Sequence, residues 1–422
     1  MTTQNNTQAN GWSSAVTAAG SSIGTNDDVR QAKELVLKGN KLERGPARIA
    51  TEAQVVAIVS ELRAIRESLA DGYIRKARKH ESVAQAILTI LRDSAMSVTR
   101  SGFGDETVEK QMKLTLESML RRNQPVVLPL LMGGAKAPNP VKVGTNYLPD
   151  LSEWTAWSTL EAIGIAIKEF YSPGATILVV PDAGLHTADI GMPIEGTFAH
   201  ALAGQRDRQL LGLEHVNVPD VLQYLTSEWV EGVQGLVTEA RRRAESNSAF
   251  ADDLRSQIGS LVYSLNTRVL GRSFEDLVPV YAAAAGHSDG LPENTIHEAR
   301  ELQIRSESIA FHYVAVNWAI RQLGLVERIV QDLFGSKEHL RMSVHAKPGE
   351  PRPALFASSK HFPGLGGLLP MHSVGVRLQL GEKIRYGAAF ELSARLRRWT
   401  PVISGDNGRF LCFEATLLPS ES

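Results

Sequence analysis

Two short, uninterrupted apolar runs on either side of a helical pattern constrain this chain more than any other feature of its 422 residues. Val126-Val127-Leu128-Pro129-Leu130-Leu131-Met132 ends in Gly133-Gly134, and Ala175-Thr176-Ile177-Leu178-Val179-Val180 ends in Pro181-Asp182-Ala183-Gly184. Continuous apolar runs of this length fit strands buried on both faces. Between them Leu151, Trp154, Trp157, Leu160, Ile163, Ile167 and Phe170 recur three or four residues apart. Preceded by Pro149-Asp150 and stopped by Pro173-Gly174, they predict an amphipathic helix over 151–170. Strand, helix, strand is a βαβ unit, whose crossover makes its two strands parallel. Open sheets of this kind bind ligands beyond the carboxyl ends of their strands, so the loops 133–150 and 181–192 are the expected site loops.

The predicted fold class is therefore α/β, a Rossmann-like βαβ core with a helical N-terminal region, a helical insertion and a β-rich C-terminal part. Residues 1–28, rich in Ser, Thr, Asn and Gly, read as a disordered tail. Residues 29–122 read as helical, with Val55, Ile58, Leu62, Ile65 and Leu69 forming one apolar stripe. The core with its site loops spans 123–218, a helical region 219–338, and a β-rich part 339–422 completes the core. Within the last part Leu340–His345, Ala354–Ala357, the alternating Ser373–Leu380 and Arg409–Leu417 read as strands.

Charge and cysteine usage exclude several function classes. Lys plus Arg is 45 against 46 for Asp plus Glu, so there is no whole-protein basic field for nucleic acid or a membrane surface, and any phosphate site is local. A single cysteine, Cys412, leaves no internal disulfide framework and fits a reducing compartment. The first residues lack a basic and then apolar leader, and no apolar run approaches the roughly 20 residues of a spanning helix, so a cytoplasmic location is expected.

Three clusters carry residue types suited to chemistry. Lys136 and Lys142 flank Pro138-Asn139-Pro140, a restricted turn able to present two cations and an amide to an anion such as a sugar phosphate; a solvated loop fits equally. Asp182, His186 and Asp189 follow the second apolar run, where a carboxylate can orient an amine or act as a base and an imidazole titrates near neutrality. The alternative is that Asp182 or Asp189 caps a following helix. Arg341 and His345, four apart on a strand, share a face, and His372 lies at another strand boundary; a buried structural pair is the alternative. No histidine belongs to a metal-binding H-E-x-x-H, and no glycine-rich stretch completes a dinucleotide or Walker fingerprint. Gly20-Ser21-Ser22-Ile23-Gly24 matches a nucleophile elbow but lacks the strand and helix that give it meaning.

Taken together, Lys136-x-Pro138-Asn139-Pro140-x-Lys142, Leu148-Pro149-Asp150-Leu151-x-Glu153, Tyr171-x-Pro173-Gly174-Ala175, Leu340 to His345 and Pro370-Met371-His372 agree in order and spacing with one family. The chain resembles the pyoverdine/dityrosine biosynthesis family, whose best-understood members are isonitrile (isocyanide) synthases acting on aromatic amino acids. The resemblance implies that the amine of an amino acid condenses with the ketone of ribulose 5-phosphate, whose C2 becomes the isonitrile carbon while the rest of the sugar is lost. It implies no metal or redox cofactor, and a product often passed to an Fe(II)/2-oxoglutarate oxygenase. By position it assigns Lys136, Asn139 and Lys142 to anion binding, Asp150 and Glu153 to the site wall, and His186 and Asp189 to the substrate pocket. Asp182 is assigned to amine orientation or proton transfer, His345 and His372 to acid–base or phosphate contacts, and Arg341 to clamping a carboxylate. Pro181, Ala346 and Met371 stand where the family has a serine, a proline and an aromatic residue, which predicts a rebuilt pocket and a different amine. The other readings are a divergent member forming another carbon–nitrogen product, and a non-catalytic relative that binds an amino acid or sugar phosphate.

Overall fold

The computed structural model describes residues 43–44, 47–96, 98–132, 148–181, 185, 194–252, 254, 279–280, 283, 288–344, 347–355, 374–380, 383–388, 398–404 and 409–416. They fall into two compact units, the larger drawn from 38–188, 192–229 and 320–422, the smaller from 230–319.

The larger unit starts with two very short strands, β1 (Glu43–Arg44) and β2 (Arg48–Ala50), and then three helices, α1 (Glu52–Ala77), α2 (Val83–Ser94) and α3 (Glu106–Arg121). Local chemistry sets the helix starts. Thr51 and Gln54 form a capping box at α1, and the Asp105 carboxylate accepts the Thr107 and Val108 N–H groups at α3. The stripe read from sequence faces inward: Ile58 and Leu62 are buried, and Val55, Ile65 and Leu69 pack against the same core. The strands within this otherwise helical stretch are a correction to the sequence reading. β1 and β2 both pair parallel with a strand some 350 residues later, a partner that local periodicity does not reveal.

The chain continues through β3 (Val126–Leu131), α4 (Leu151–Phe170), β4 (Ala175–Val180), α5 (Ile194–Leu211), β5 (Val216–Asn217) and α6 (Ser227–Ser246). After α7 (Glu293–Gln322) and α8 (Leu325–Phe334) come β6 (Met342–Ser343), β7 (Gly375–Leu380), β8 (Lys383–Ala388), β9 (Arg398–Ser404) and β10 (Phe410–Thr416). One sheet has the order β5-β4-β3-β6 with every pairing parallel, as the βαβ reading requires. The other has the order β1-β9-β10-β7-β8, with β2 also on β9. Among the described residues of the Leu340–His345 run only the two of β6 are strand, and Ala354 and Leu355 form no strand. Pro351 and Pro353, each lacking a backbone donor, suit this short irregular return better than a ladder.

Helix α4 is the hinge of the architecture. It packs against α1, α2 and α5, against β4 and β5 of the parallel sheet, and against β7, β8 and β10 of the second sheet. Leu151 to Gly164 are accordingly buried on every face, whereas the sequence reading expected an amphipathic helix. Its small polar residues tolerate this because they bond to the helix itself: Thr155 Oγ1 donates to Leu151 O (2.7 Å) and Thr159 Oγ1 to Thr155 O (2.9 Å).

On the second sheet, Arg377 of β7 donates two bonds to Glu61 of α1 (2.9 and 2.6 Å), and the Tyr386 hydroxyl of β8 donates to the same carboxylate. Burial pushes the Glu61 carboxyl up, but the bonds from Arg377 and Tyr386 outweigh it and leave the group below its ordinary value. Burial pushes the thiol of the fully buried Cys412 up.

The smaller unit has its own core, built from Ala240, Ala244, Leu254, Val280, Ala299, Ala310, Phe311 and Val314. The Phe250 and Trp318 rings stack with centroids 5.8 Å apart, and the Arg243 guanidinium lies 5.1 and 5.6 Å from them. No helix among the described residues is long and apolar enough to cross a membrane.

Candidate functional site

The carboxyl edge of the parallel sheet is formed by three strand ends in register: Leu131 of β3 pairs with Val180 of β4 on one side and with Ser343 of β6 on the other. At about 4.8 Å per strand, the three ends span about 10 Å. In sequence, Lys136, Asn139 and Lys142 follow β3, Asp182, His186 and Asp189 follow β4, and His345 follows β6. Those seven residues, and His372, lie outside the described residues. Asp150, Glu153 and Arg341 are described.

Asp150 and Glu153 stand at the start of α4, which returns from this edge. Asp150 is fully buried, and its Oδ1 accepts the N–H of Ser152 (2.7 Å) and of Gly375 (3.0 Å). Glu153 Oε2 accepts the Asp150 N–H (2.9 Å) and the Ser152 hydroxyl (3.1 Å). The two carboxylates thus form a capping box, and Asp150 also ties the first residue of β7 to the helix start. That approach requires a glycine: a Cβ on Gly375 would lie 2.5 Å from Ser152 N and 2.6 Å from Leu151 Cβ. Both acids hold the backbone at the helix start, and Asp150 alone also joins it to β7 of the second sheet.

Arg341 flanks β6 rather than lying within it. Its Nε sits 3.9 Å from Glu350 Oε2, and neither atom has a hydrogen-bond partner among the described residues. Burial pulls the guanidinium below its ordinary value, Glu350 and Glu327 oppose this, and Arg321 reinforces it. Burial likewise lowers Lys347, against Glu350 and with the help of Arg321 and Arg341. The arginine therefore faces a protein carboxylate in a crowded ionic cluster. Among the described residues, no group of three or more His, Cys, Asp or Glu side chains is placed to hold a metal ion.

A second polar group near this edge was not singled out in the sequence. Among the positions of α5 whose burial is described, 198–211, the buried ones are His200, Gly204, Asp207 and Leu211, one helical stripe. The stripe meets α4. Trp154 Nε1 donates to Asp207 Oδ2 (2.8 Å), and a Cβ on Gly204 would lie 3.3 Å from the Trp157 ring. Arg409, beside β10, clamps Asp207 through NH1 (3.1 Å) and NH2 (2.6 Å), a pair almost wholly buried at 10% and 6% side-chain exposure. Farther along, the buried Glu161 of α4 accepts three backbone N–H groups, those of Glu214 (2.9 Å), His215 (2.9 Å) and Val216 (3.1 Å). The signal available in sequence was the spacing His200, Gly204, Asp207 on a single helix face, which carries weight only once a partner helix is known.

A family model described as pyoverdine/dityrosine biosynthesis protein matches residues 116–384, well over half of the chain. The chain belongs to this family. The match runs from within α3 into β8 and so includes the whole parallel sheet and its edge. Over 111 residues this pyoverdine/dityrosine family member is 31% identical to isocyanide synthase A of Aspergillus fumigatus, a stretch covering 26% of this chain and 18% of that protein. The chain thus matches less than a fifth of that relative's length. The crystal structure of the PvcA protein from Pseudomonas aeruginosa is similar with a TM-score of 0.51 and 18% identity, covering 79% of this chain and 100% of that one. The two proteins share a fold.

Proposed function

We propose that this protein is an isonitrile synthase-like enzyme that condenses the amine of an amino acid with ribulose 5-phosphate, C2 of the sugar becoming the isonitrile carbon. The observation that carries the reading is the family match over 116–384, a span in which three adjacent strands end in register at Leu131, Val180 and Ser343. From these ends the sequence runs on to two lysines, two aspartates and two histidines, the cations and acid–base groups that imine formation and later eliminations require. The printed name of the Aspergillus relative, an isocyanide synthase, supports the same chemistry.

In this reading Lys136, Asn139 and Lys142 bind the anionic sugar, Asp182 orients or deprotonates the amine, and His345 and His372 move protons or contact phosphate. His186 and Asp189 line the pocket. Arg341 exchanges Glu350 for the substrate carboxylate, and Asp150 and Glu153 support the wall through the backbone they cap. The enzyme works in the cytoplasm without metal or redox cofactor, and its product suits an Fe(II)/2-oxoglutarate oxygenase.

The test is incubation of the full chain with C2-labelled ribulose 5-phosphate and a pool of amino acids, followed by mass spectrometry. A labelled isonitrile is the expected result, and its mass identifies the amine. Label in a product of another mass would point to a different carbon–nitrogen bond-forming step. No label transfer, with the sugar phosphate still bound, would refute the enzymatic reading and leave a ligand-binding relative.

A further inference from the structure

Shortly after β6 the chain makes a tight turn. Glu350 N–H donates to Lys347 O (2.9 Å), with Pro348 and Gly349 between them and Gly349 at φ +79°. Two more backbone bonds fix where the turn sits. Gly349 N–H donates to Ser101 O (3.1 Å) in the link between α2 and α3, and Ser343 N–H of β6 donates to Pro351 O (3.0 Å). Lys347 and Glu350 are thereby held beside the short strand that Arg341 leads into. Arg321 in the last turn of α7 and Glu327 in the first turn of α8 act on Arg341 through their charges.

This ionic cluster is unfinished. Three cations, Arg321, Arg341 and Lys347, face two carboxylates, Glu327 and Glu350, so one positive charge is in excess. Elsewhere the chain closes its ion pairs with forked bonds: Arg409 reaches Asp207 at 3.1 and 2.6 Å, and Arg377 reaches Glu61 at 2.9 and 2.6 Å. Here Arg341 Nε stands 3.9 Å from Glu350 Oε2, beyond hydrogen-bond length. Both atoms, and Glu327 Oε2, are buried with no hydrogen-bond partner among the described residues. Buried polar atoms left unpaired in a cluster of charges call for a group that completes it. The Arg341 and Glu350 side chains keep 22% and 21% exposure, so a small ion in solvent can reach them.

We propose that Arg341, Lys347 and Arg321 form a binding site for a small oxyanion, a carboxylate or a phosphoryl group, and that Glu350 is the internal group it displaces. A guanidinium offers an oxyanion parallel N–H donors, which Glu350 does not use at 3.9 Å. The incoming anion supplies the missing acceptors and the missing negative charge, and leaves Glu350 to Lys347, its neighbour across the turn. The proposal deepens the role given to Arg341 above, and rests on that reading for which ligand arrives but not for whether an oxyanion binds.

The test is titration of the full chain with inorganic phosphate and, separately, with acetate, at an ionic strength held constant with chloride. Binding is followed by calorimetry, by the rise in melting temperature and by the Nε–H resonance of Arg341. At least one of the two anions should bind in preference to chloride and move that resonance. Stronger binding of acetate assigns a carboxylate ligand, and stronger binding of phosphate a phosphoryl group. Glu350→Gln, which keeps the shape and removes the competing charge, should tighten binding by at least about fivefold. Arg341→Gln should weaken it by at least about tenfold, and Lys347→Met should act in the same direction. Neither anion binding better than chloride overturns the proposal, as does binding that Glu350→Gln and Arg341→Gln leave unchanged. Should Arg341→Gln fail to fold, the unsubstituted protein decides: an Arg341 resonance that stays in place while the anion binds refutes the assignment. Absence of label transfer from ribulose 5-phosphate would fail the reaction reading alone, because anion binding is read without turnover.

Discussion

Replacing Glu161 with alanine should release β5 from the parallel sheet. One buried carboxylate there accepts three backbone N–H groups at 2.9, 2.9 and 3.1 Å, from Glu214, His215 and Val216. Charge-assisted bonds of this kind contribute about 1.5–3 kcal/mol each. After truncation the N–H groups of Glu214 and His215, which are only partly buried, recover much of that by bonding to water. The Val216 N–H is buried and stays unsatisfied, at about 1–3 kcal/mol. The net loss is therefore about 3–5 kcal/mol, on the scale of the penalty for breaking a buried charged interaction. The effect should be local first, because His215 O holds β5 to β4 by accepting the Ile177 N–H at 2.8 Å. Hydrogen exchange of the amides at 214–216 is the direct assay. A loss of 3 kcal/mol or more corresponds to protection lower by at least about 10²-fold, while Glu161→Gln, which keeps one acceptor, should fall between. Unchanged protection at these amides, or a denaturation shift below about 1 kcal/mol, would show that the three bonds do not hold the strand.

Two further outcomes follow from the same structure. Gly375→Ala places a Cβ 2.5 Å from Ser152 N, so the start of α4 and β7 must part; a stability loss of about 1–3 kcal/mol or more, with faster proteolysis near residue 375, is expected in denaturation and digestion experiments. Because the Glu61 carboxyl is held below its ordinary value of 4.5, its contribution is full above that pH and disappears as the pH falls through the lowered value. Urea midpoints from about pH 6 to about pH 3 should therefore drop more steeply in the unsubstituted protein than in Glu61→Gln, and parallel curves would remove Glu61 from the account of acid sensitivity.

Wherever chemistry is local, the sequence alone determined the outcome. The two runs became β3 and β4 because six residues that are all apolar, or all but Thr176, have no polar face to offer solvent, and Pro173-Gly174 ended α4 because neither residue continues a helix. The same locality made the stripe of α1 legible, and the family motifs marked the edge where the strands end. Tertiary structure alone decided what partners across long separations do. Helix α4 is buried all round only because a second sheet, closed by strands some 250 residues away, covers its outer face. Asp150 gained a second backbone donor because Gly375 arrives at its helix start, a contact spanning 225 residues. Asp207 acquires meaning only from Trp154 and Arg409, which periodicity on α5 cannot name. Periodicity records which face of an element is buried, whereas the partner that buries it, and the charges that partner brings, exist only after the chain has folded.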